Sequence, residues 1–248
     1  MMTDTAKWLF RRLPSSVQDR IRRIRSRVPL TATERWIARK YTPYVKRERR
    51  ELFMGIARFM HVNRPIGGYY FEFGCHEGNT FRMAWDTFRW LFDLEYVAFD
   101  SFQGLPEIKD IDRQEIWRKG KLKTTRSEFE RLCRRHGIDM ARVRIVEGFF
   151  EDSLTEALAD ELAPKKAAVV YVDCDLYHST VPVLRFVRRF LQEGSVIVFD
   201  DWNCFRADPD RGERRAWREF LERHPELAFE SLLSTSMQKV FVCVRCGA

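Results

Sequence analysis

Residues 68–80 read GYYFEFGCHEGNT, and this run decides the fold. Its first six residues are rich in aromatic side chains and stop at Gly74, the composition of a strand closed by a tight turn. Glu72, Gly74 and Gly78 form an E-x-G-x-x-x-G loop that leads into a helix expected from Asn79 to Phe92. Glycines there let backbone approach a ligand and leave helix N–H groups free to face an anion. Strand, glycine turn and helix make one β-α unit, and the unit recurs downstream. EYVAFDS (95–101) is a second strand, followed by a long polar stretch and a helix from Ser127 to His136. VRIVEGFF (143–150) is a third, with a short helix across Leu154 to Leu162. AAVVYVDCD (167–175) is continuous and apolar, as a central parallel strand should be, and its helix is expected from Val181 to Leu191. GSVIVFDD (194–201) is the fifth strand and RGERRAWREFLERH (211–224) its helix. AFESLLST (228–235) and KVFVCVRC (239–246) leave no room for a helix between them, so they pair as an antiparallel hairpin. The expected fold class is α/β, a mostly parallel sheet closed by an antiparallel C-terminal hairpin.

Upstream, helical patterns fill residues 1–62, giving an N-terminal helical extension before a domain at 63–248. A helix is expected over Thr33 to Val62, basic at first and apolar at Leu52, Phe53, Ile56 and Phe59. Between Pro14 and Pro29, Val17, Ile21, Ile24 and Val28 draw a thin apolar stripe on an arginine-rich helix. The chain has 248 residues and a net charge of +8. Residues 1–50 hold 15 basic and 4 acidic side chains, whereas the other 198 hold 29 and 32. The positive charge therefore marks the extension, the body is slightly acidic, and a nucleic-acid partner is not expected. Two readings stand for residues 15–28: a solvated basic face packed on the body, or peripheral contact with an anionic membrane surface or other anionic partner. Six dispersed cysteines and no apolar signal core point to a cytoplasmic setting, with attachment at the inner membrane face under the second reading. Cys243 and Cys246 form a CxxC that lacks a second ligand pair for zinc and reads as structural. An oligomer is compatible with the sequence, which does not specify one.

Candidate site residues follow from the strand ends, where open α/β sheets bind ligands. Asp100 stands where such folds place an acidic residue that accepts from ribose hydroxyls, with Ser101 beside it; the competing reading is a turn carboxylate. Asp173, Asp175, Asp200 and Asp201 end neighbouring strands, and four anions so close need neutralisation. A hard divalent cation, Mg²⁺ foremost, suits oxygen ligands of this kind. The stretch from Phe102 to Thr125 is longer than ordinary loops and reads as a cover over the site.

Together, D-S-F-x-G-L-P at 100–106, E-G-F-F-E-D-S-L at 147–154, D-x-D-L-Y-x-S-T at 173–180 and V-I-V-F-D-D-W ending at Trp202 resemble the macrocin O-methyltransferase family. The resemblance spans about residues 68–245. It implies a Rossmann-like class I methyltransferase fold and an enzyme that is S-adenosylmethionine (SAM)- and Mg²⁺-dependent and methylates a sugar hydroxyl. It also implies that Glu72, Gly74 and Gly78 hold the methionine part of SAM, that Gly148 and Phe149 adjoin the adenine, and that Asp173 joins the cofactor-binding set. The implied metal ligands are Asp175, Asp200 and Asp201. Cys174 where the family usually has glycine, Trp202 in place of a tyrosine, and the arginine-rich start depart from the pattern and bear on the acceptor. The acceptor is expected to be a small-molecule or glycan hydroxyl, deprotonated by Asp175 or, second, by His178. The alternatives are a nucleic-acid methyltransferase, opposed by D-C-D-L-Y at 173–177 where base N-methyltransferases of this fold usually carry N/D-P-P-Y/F, and a non-catalytic binding module of the same fold. A nicotinamide-dependent oxidoreductase is opposed by the glycine spacing.

Overall fold

The computed structural model describes residues 31–247. The chain divides into two compact units between Arg47 and Glu48. The described part of the first begins with α1 (Ala32–Trp36), where Thr31 and Glu34 form a reciprocal capping box, and continues through a π-helical run, Ile37–Tyr41. A long helix, α2 (Thr42–Val62), follows; Leu52, Phe53, Ile56, Ala57 and Met60 on one of its faces are buried in the second unit. The basic helix expected at 15–28 lies outside the described residues.

The second unit contains one seven-stranded sheet. Its elements are β1 (Gly68–Phe73), α3 (Asn79–Phe88), β2 (Leu94–Asp100), α4 (Arg126–His136), β3 (Val143–Glu147), α5 (Phe150–Ser153), α6 (Glu156–Leu162), β4 (Ala167–Val172), α7 (Tyr177–Val187), β5 (Val196–Phe199), α8 (Gly212–Arg223), β6 (Ala228–Ser234) and β7 (Lys239–Arg245). The strand order is β3-β2-β1-β4-β5-β7-β6, parallel except at β7, which pairs antiparallel with both β5 and β6. Side chains alternate between two cores, as the period of a strand requires. Tyr70, Tyr96, Ala98, Tyr171 and Val198 face α2, α3 and α4, where Phe53 stacks on Tyr171 at 5.4 Å. Phe71, Val97, Phe99, Val170 and Ile197 face α6, α7 and α8.

Three elements differ from expectation. α3 stops at Phe88, four residues before Phe92. The helix expected across Leu154 to Leu162 is α6, which starts at Glu156 because the Thr155 hydroxyl accepts from the Leu158 amide, and the separate turn α5 (Phe150–Ser153) before it was not expected. α7 begins at Tyr177 and carries Pro182 inside it, where a start at Val181 was expected. No helix of the described residues is long and apolar enough to cross a membrane. Cys243 Sγ and Cys246 Sγ lie 2.8 Å apart as free thiols.

Candidate active site

Strand register builds the site. Phe73 is level with Phe99 of β2 and Val172 of β4, and Val172 with Phe199 of β5. The next residue on each chain is Gly74, Asp100, Asp173 and Asp200, so these four stand in a row along the carboxyl edge. Backbone bonds hold the row: Gly74 N–H donates to Phe99 O at 2.9 Å, Asp173 N–H to Phe73 O at 2.9 Å, and Asp200 N–H to Val172 O at 2.9 Å. The order reverses between β1 and β4, where a doubly wound sheet opens a crevice. A cavity of about 570 Å³ opens there.

Gly74, Asp100, Ser101, Gly148, Phe149, Asp173, Asp175, His178, Asp200 and Asp201 all line this cavity, while Glu72 and Gly78 do not. Gly74 has φ +89°, and a Cβ there would fall 1.9 Å from the Asp173 carbonyl oxygen, so the turn admits only glycine. Glu72 is fully buried behind it, accepting from Tyr70 Oη at 2.5 Å and from Thr80 Oγ1 at 2.7 Å. Burial pushes its carboxyl up to about 8, although those two hydroxyls pull the other way. Asp100 works as a strut: Oδ2 accepts from the amides of Cys75 and His76, at 2.8 and 2.9 Å, and Oδ1 from that of Phe102 at 2.6 Å. This is the turn role weighed against ribose binding, and a carboxylate's four lone-pair sites leave room for one more donor. Ser101 Oγ donates to Gly104 O at 3.0 Å. Phe150 packs edge-on against Phe73, whereas Phe149 lines the cavity with no aromatic partner among the described residues.

The carboxylate cluster has a definite geometry. One oxygen each from Asp173, Asp200 and Asp201 lies within 4.8 Å of the others. Asp175 is outside this closest group; it sits in the left-handed region at φ +59° and donates its N–H to Asp201 Oδ2 at 3.2 Å. Burial, then the charges of Asp200, Asp201 and Asp175, holds the Asp173 carboxyl well above the ordinary range. Asp175 is displaced the same way by burial and Asp201, and Asp201 is pushed up to about 6 by burial and Asp200. Glu213, beneath the cluster, accepts from the Asp201 amide at 3.0 Å through Oε2, while its buried Oε1 has no partner among the described residues.

Several participants were missed in the sequence. Arg49 donates from Nη2 to Asp200 Oδ2 at 2.5 Å; burial opposes its charge, yet Asp200 and its neighbours hold its pKa above the ordinary value. Tyr171 Oη and Gln238 Nε2, the latter at 3.0 Å, both donate to Asp200 Oδ1. The Arg49 Nε and Trp117 Nε1 donors are buried without partners among the described residues, and both side chains line the cavity. The 102–125 stretch supplies Trp117 together with Leu105, Pro106 and Leu122, and its base is pinned where Leu105 exchanges backbone bonds with Lys121 O and Gly120 N, each 2.9 Å.

The chain is 30% identical over 133 residues to mycinamicin III 3''-O-methyltransferase of Micromonospora griseorubida, covering 50% of this chain and 48% of that protein. It is 31% identical over 135 residues to 8-demethyl-8-(2,3-dimethoxy-alpha-L-rhamnosyl)-tetracenomycin-C 4'-O-methyltransferase of Streptomyces olivaceus, covering 50% and 44%. The matched segment thus spans about half the length of these relatives. Two solved structures share the fold, each with a TM-score of 0.65. The O-methyltransferase NovP is 22% identical and 80% of each chain is covered. The calicheamicin methyltransferase CalS11 is 21% identical, with 93% of this chain and 94% of that one covered. The fold is that of class I methyltransferases. A family model described as Macrocin-O-methyltransferase (TylF) matches residues 82–227, more than half of the sequence, and the chain belongs to that family.

Proposed function

We propose that this chain is a SAM- and Mg²⁺-dependent O-methyltransferase acting on a hydroxyl of a sugar, either on a glycosylated natural product or on a glycan. The observation that carries the reading is the single row Gly74, Asp100, Asp173, Asp200 along one cavity, which sets a glycine turn beside a carboxylate cluster. The cluster fits a divalent cation by its donor chemistry: oxygen atoms only, mutually close, with the carboxyls of Asp173, Asp175 and Asp201 all held above the ordinary aspartate range by burial and by their neighbours' charge. Asp200 and Asp201 would hold the ion with Asp173 as the nearest third ligand and Asp175 alongside. SAM would supply a methyl already activated on a cationic sulfur, and Mg²⁺ would make a bound hydroxyl more acidic.

The chain's own residues do the remaining work. Gly74 lets the β1–α3 turn pass close to a ligand, and Asp100 holds that turn through the Cys75 and His76 amides. Tyr171, Gln238 and Arg49 fix the Asp200 carboxylate in one orientation. Phe149 offers a flat apolar face to the cofactor's base, and Trp117 Nε1–H offers a donor to an acceptor oxygen. Asp175 or His178 takes the proton from the hydroxyl, and the cover formed by 102–125 keeps water from competing. The N-terminal extension (1–62) contributes to this reading, since its residues from 48 onward belong to the sheet's own unit and include Arg49. Isothermal titration tests the reading without an acceptor. SAM binding that is lost in Gly74→Ala, and Mg²⁺ binding that is lost in a variant with both Asp200→Ala and Asp201→Ala, support it. Wild-type protein that binds neither overturns it.

A further inference from the structure

Asp112 lies in the middle of the covering stretch, on a single 3-10 turn (Asp110–Asp112), and is fully buried. Its carboxylate reaches the start of α7. Oδ1 accepts from the Tyr177 amide at 2.7 Å, and Oδ2 accepts from the His178 amide at 3.4 Å and from His178 Nδ1 at 2.6 Å. α7 receives no side-chain cap from its own N-cap residue, Leu176, so the cap comes from 65 residues earlier. The turn is also gripped from the other side. Arg211 donates from Nε to Ile111 O at 3.1 Å and from Nη2 to Arg113 O at 2.7 Å, and its guanidinium lies over the Phe205 ring at 4.6 Å. The His178 side chain is 11% exposed and lines the cavity, and its Nε2 has no partner among the described residues.

We propose that Asp112 is a positioning residue that keeps His178 as the Nδ1-protonated tautomer, so that Nε2 presents its lone pair to the cavity as the base for the acceptor hydroxyl. The inference rests on the methyl-transfer reading and assigns the proton's destination within it. A carboxylate can only accept, so the nitrogen facing it must carry hydrogen and the other nitrogen is left basic. In the reaction the acceptor O–H proton passes to Nε2 while the oxygen lone pair forms the new O–CH3 bond. The S–CH3 bond breaks with its electron pair staying on sulfur, giving a neutral thioether. The imidazolium then carries the released proton, and the Asp112 carboxylate beside Nδ1–H offsets its charge. Because Asp112 arrives with the covering stretch, the base is correctly oriented only when that stretch is docked on α7.

Long-range ¹H–¹⁵N correlation spectra of the full-length protein test this with no cofactor, metal or acceptor present. The chain has 5 histidines, and His178→Gln assigns the His178 signal. At a pH that leaves the imidazole neutral, wild-type His178 is expected to show a pyrrole-like Nδ1 and a pyridine-like Nε2. In Asp112→Asn the side-chain amide can donate to Nδ1, and the two signals are expected to exchange character. An Nε2-protonated His178 in the wild type overturns the proposal even if the variant fails to fold. An unchanged tautomer in a folded Asp112→Asn also overturns it, since a plain helix cap would leave the ring indifferent. Either failure would leave the proposed reaction standing with Asp175 as base, whereas a chain that binds no SAM would remove the reaction and leave the tautomer result intact.

Discussion

Glu72→Gln isolates one buried carboxyl group. Glu72 has no contact with solvent and ionises near 8 in the folded chain, against 4.5 for an unperturbed glutamate. Below 4.5 the group is protonated whether the chain is folded or not, and its contribution to stability is complete. Between 4.5 and 8 only the unfolded chain gives up the proton, so stability falls as pH rises; above 8 the loss is finished. At about 1.36 kcal/mol per pH unit, the whole window amounts to roughly 5 kcal/mol. The part between about pH 5.5 and about pH 8.5 is about 3 kcal/mol. Glutamine copies the shape of the protonated acid, can keep both hydroxyl neighbours bonded, and does not titrate. Urea unfolding of wild type and variant at those two pH values reads the effect as a difference, which cancels the titration of the Asp173 cluster. The variant is expected to gain about 3 kcal/mol on the wild type as pH rises. A stability difference that stays constant, or moves the other way, refutes the reasoning that Glu72 is a neutral buried strut.

Other outcomes follow from the same geometry. Burial pushes the Asp201 carboxyl up to about 6 and holds those of Asp173 and Asp175 well above the ordinary range, so the metal-free protein should lose stability as pH climbs above the ordinary aspartate range. Mg²⁺ should therefore raise the melting temperature more at about pH 8 than at about pH 5, and equal shifts at both would contradict a cluster that trades protons for a cation. Gly74→Ala places a methyl 1.9 Å from the Asp173 carbonyl oxygen at φ +89°; a loss of roughly 1–3 kcal/mol or more is expected in chemical denaturation. A variant as stable as wild type that binds SAM normally would show that the turn is not as tight as drawn. Gln238→Leu removes a buried donor to Asp200 Oδ1 and should cost about 1–3 kcal/mol; no loss would mean Tyr171 alone satisfies that oxygen.

The parts of the molecule legible in the sequence are those set by local pattern. Strand runs such as AAVVYV and VIVF are continuous apolar segments, and their ends carry Asp173 and Asp200 in register because parallel neighbours align at the carboxyl edge. The C-terminal hairpin was legible from spacing alone. What escaped depends on residues far apart in the chain. The start of α7 was misjudged because Pro182 reads as a first-turn proline, while the real N-terminus at Tyr177 is capped by Asp112. No local signal announces such a cap. Arg49, Tyr171 and Gln238 converge on Asp200 from a helix, the strand beside it and the β6–β7 connection, and only the folded chain brings them together. The break between α5 and α6 was readable in principle, since Thr155 stands three residues before Leu158 in an N-cap position. Glu72 illustrates the opposite limit: its motif was evident, but its full burial behind the turn was not.

The most direct measurement of the central claim is mass spectrometry of the full-length chain's products with SAM, Mg²⁺ and a panel of natural products bearing deoxysugars with free hydroxyls. The account predicts an acceptor heavier by one CH2, with the methyl on a sugar oxygen, and turnover that EDTA abolishes, Mg²⁺ restores and Asp200→Ala lacks. Methyl transfer that proceeds unchanged in EDTA, or that places the methyl on nitrogen or carbon, would contradict it.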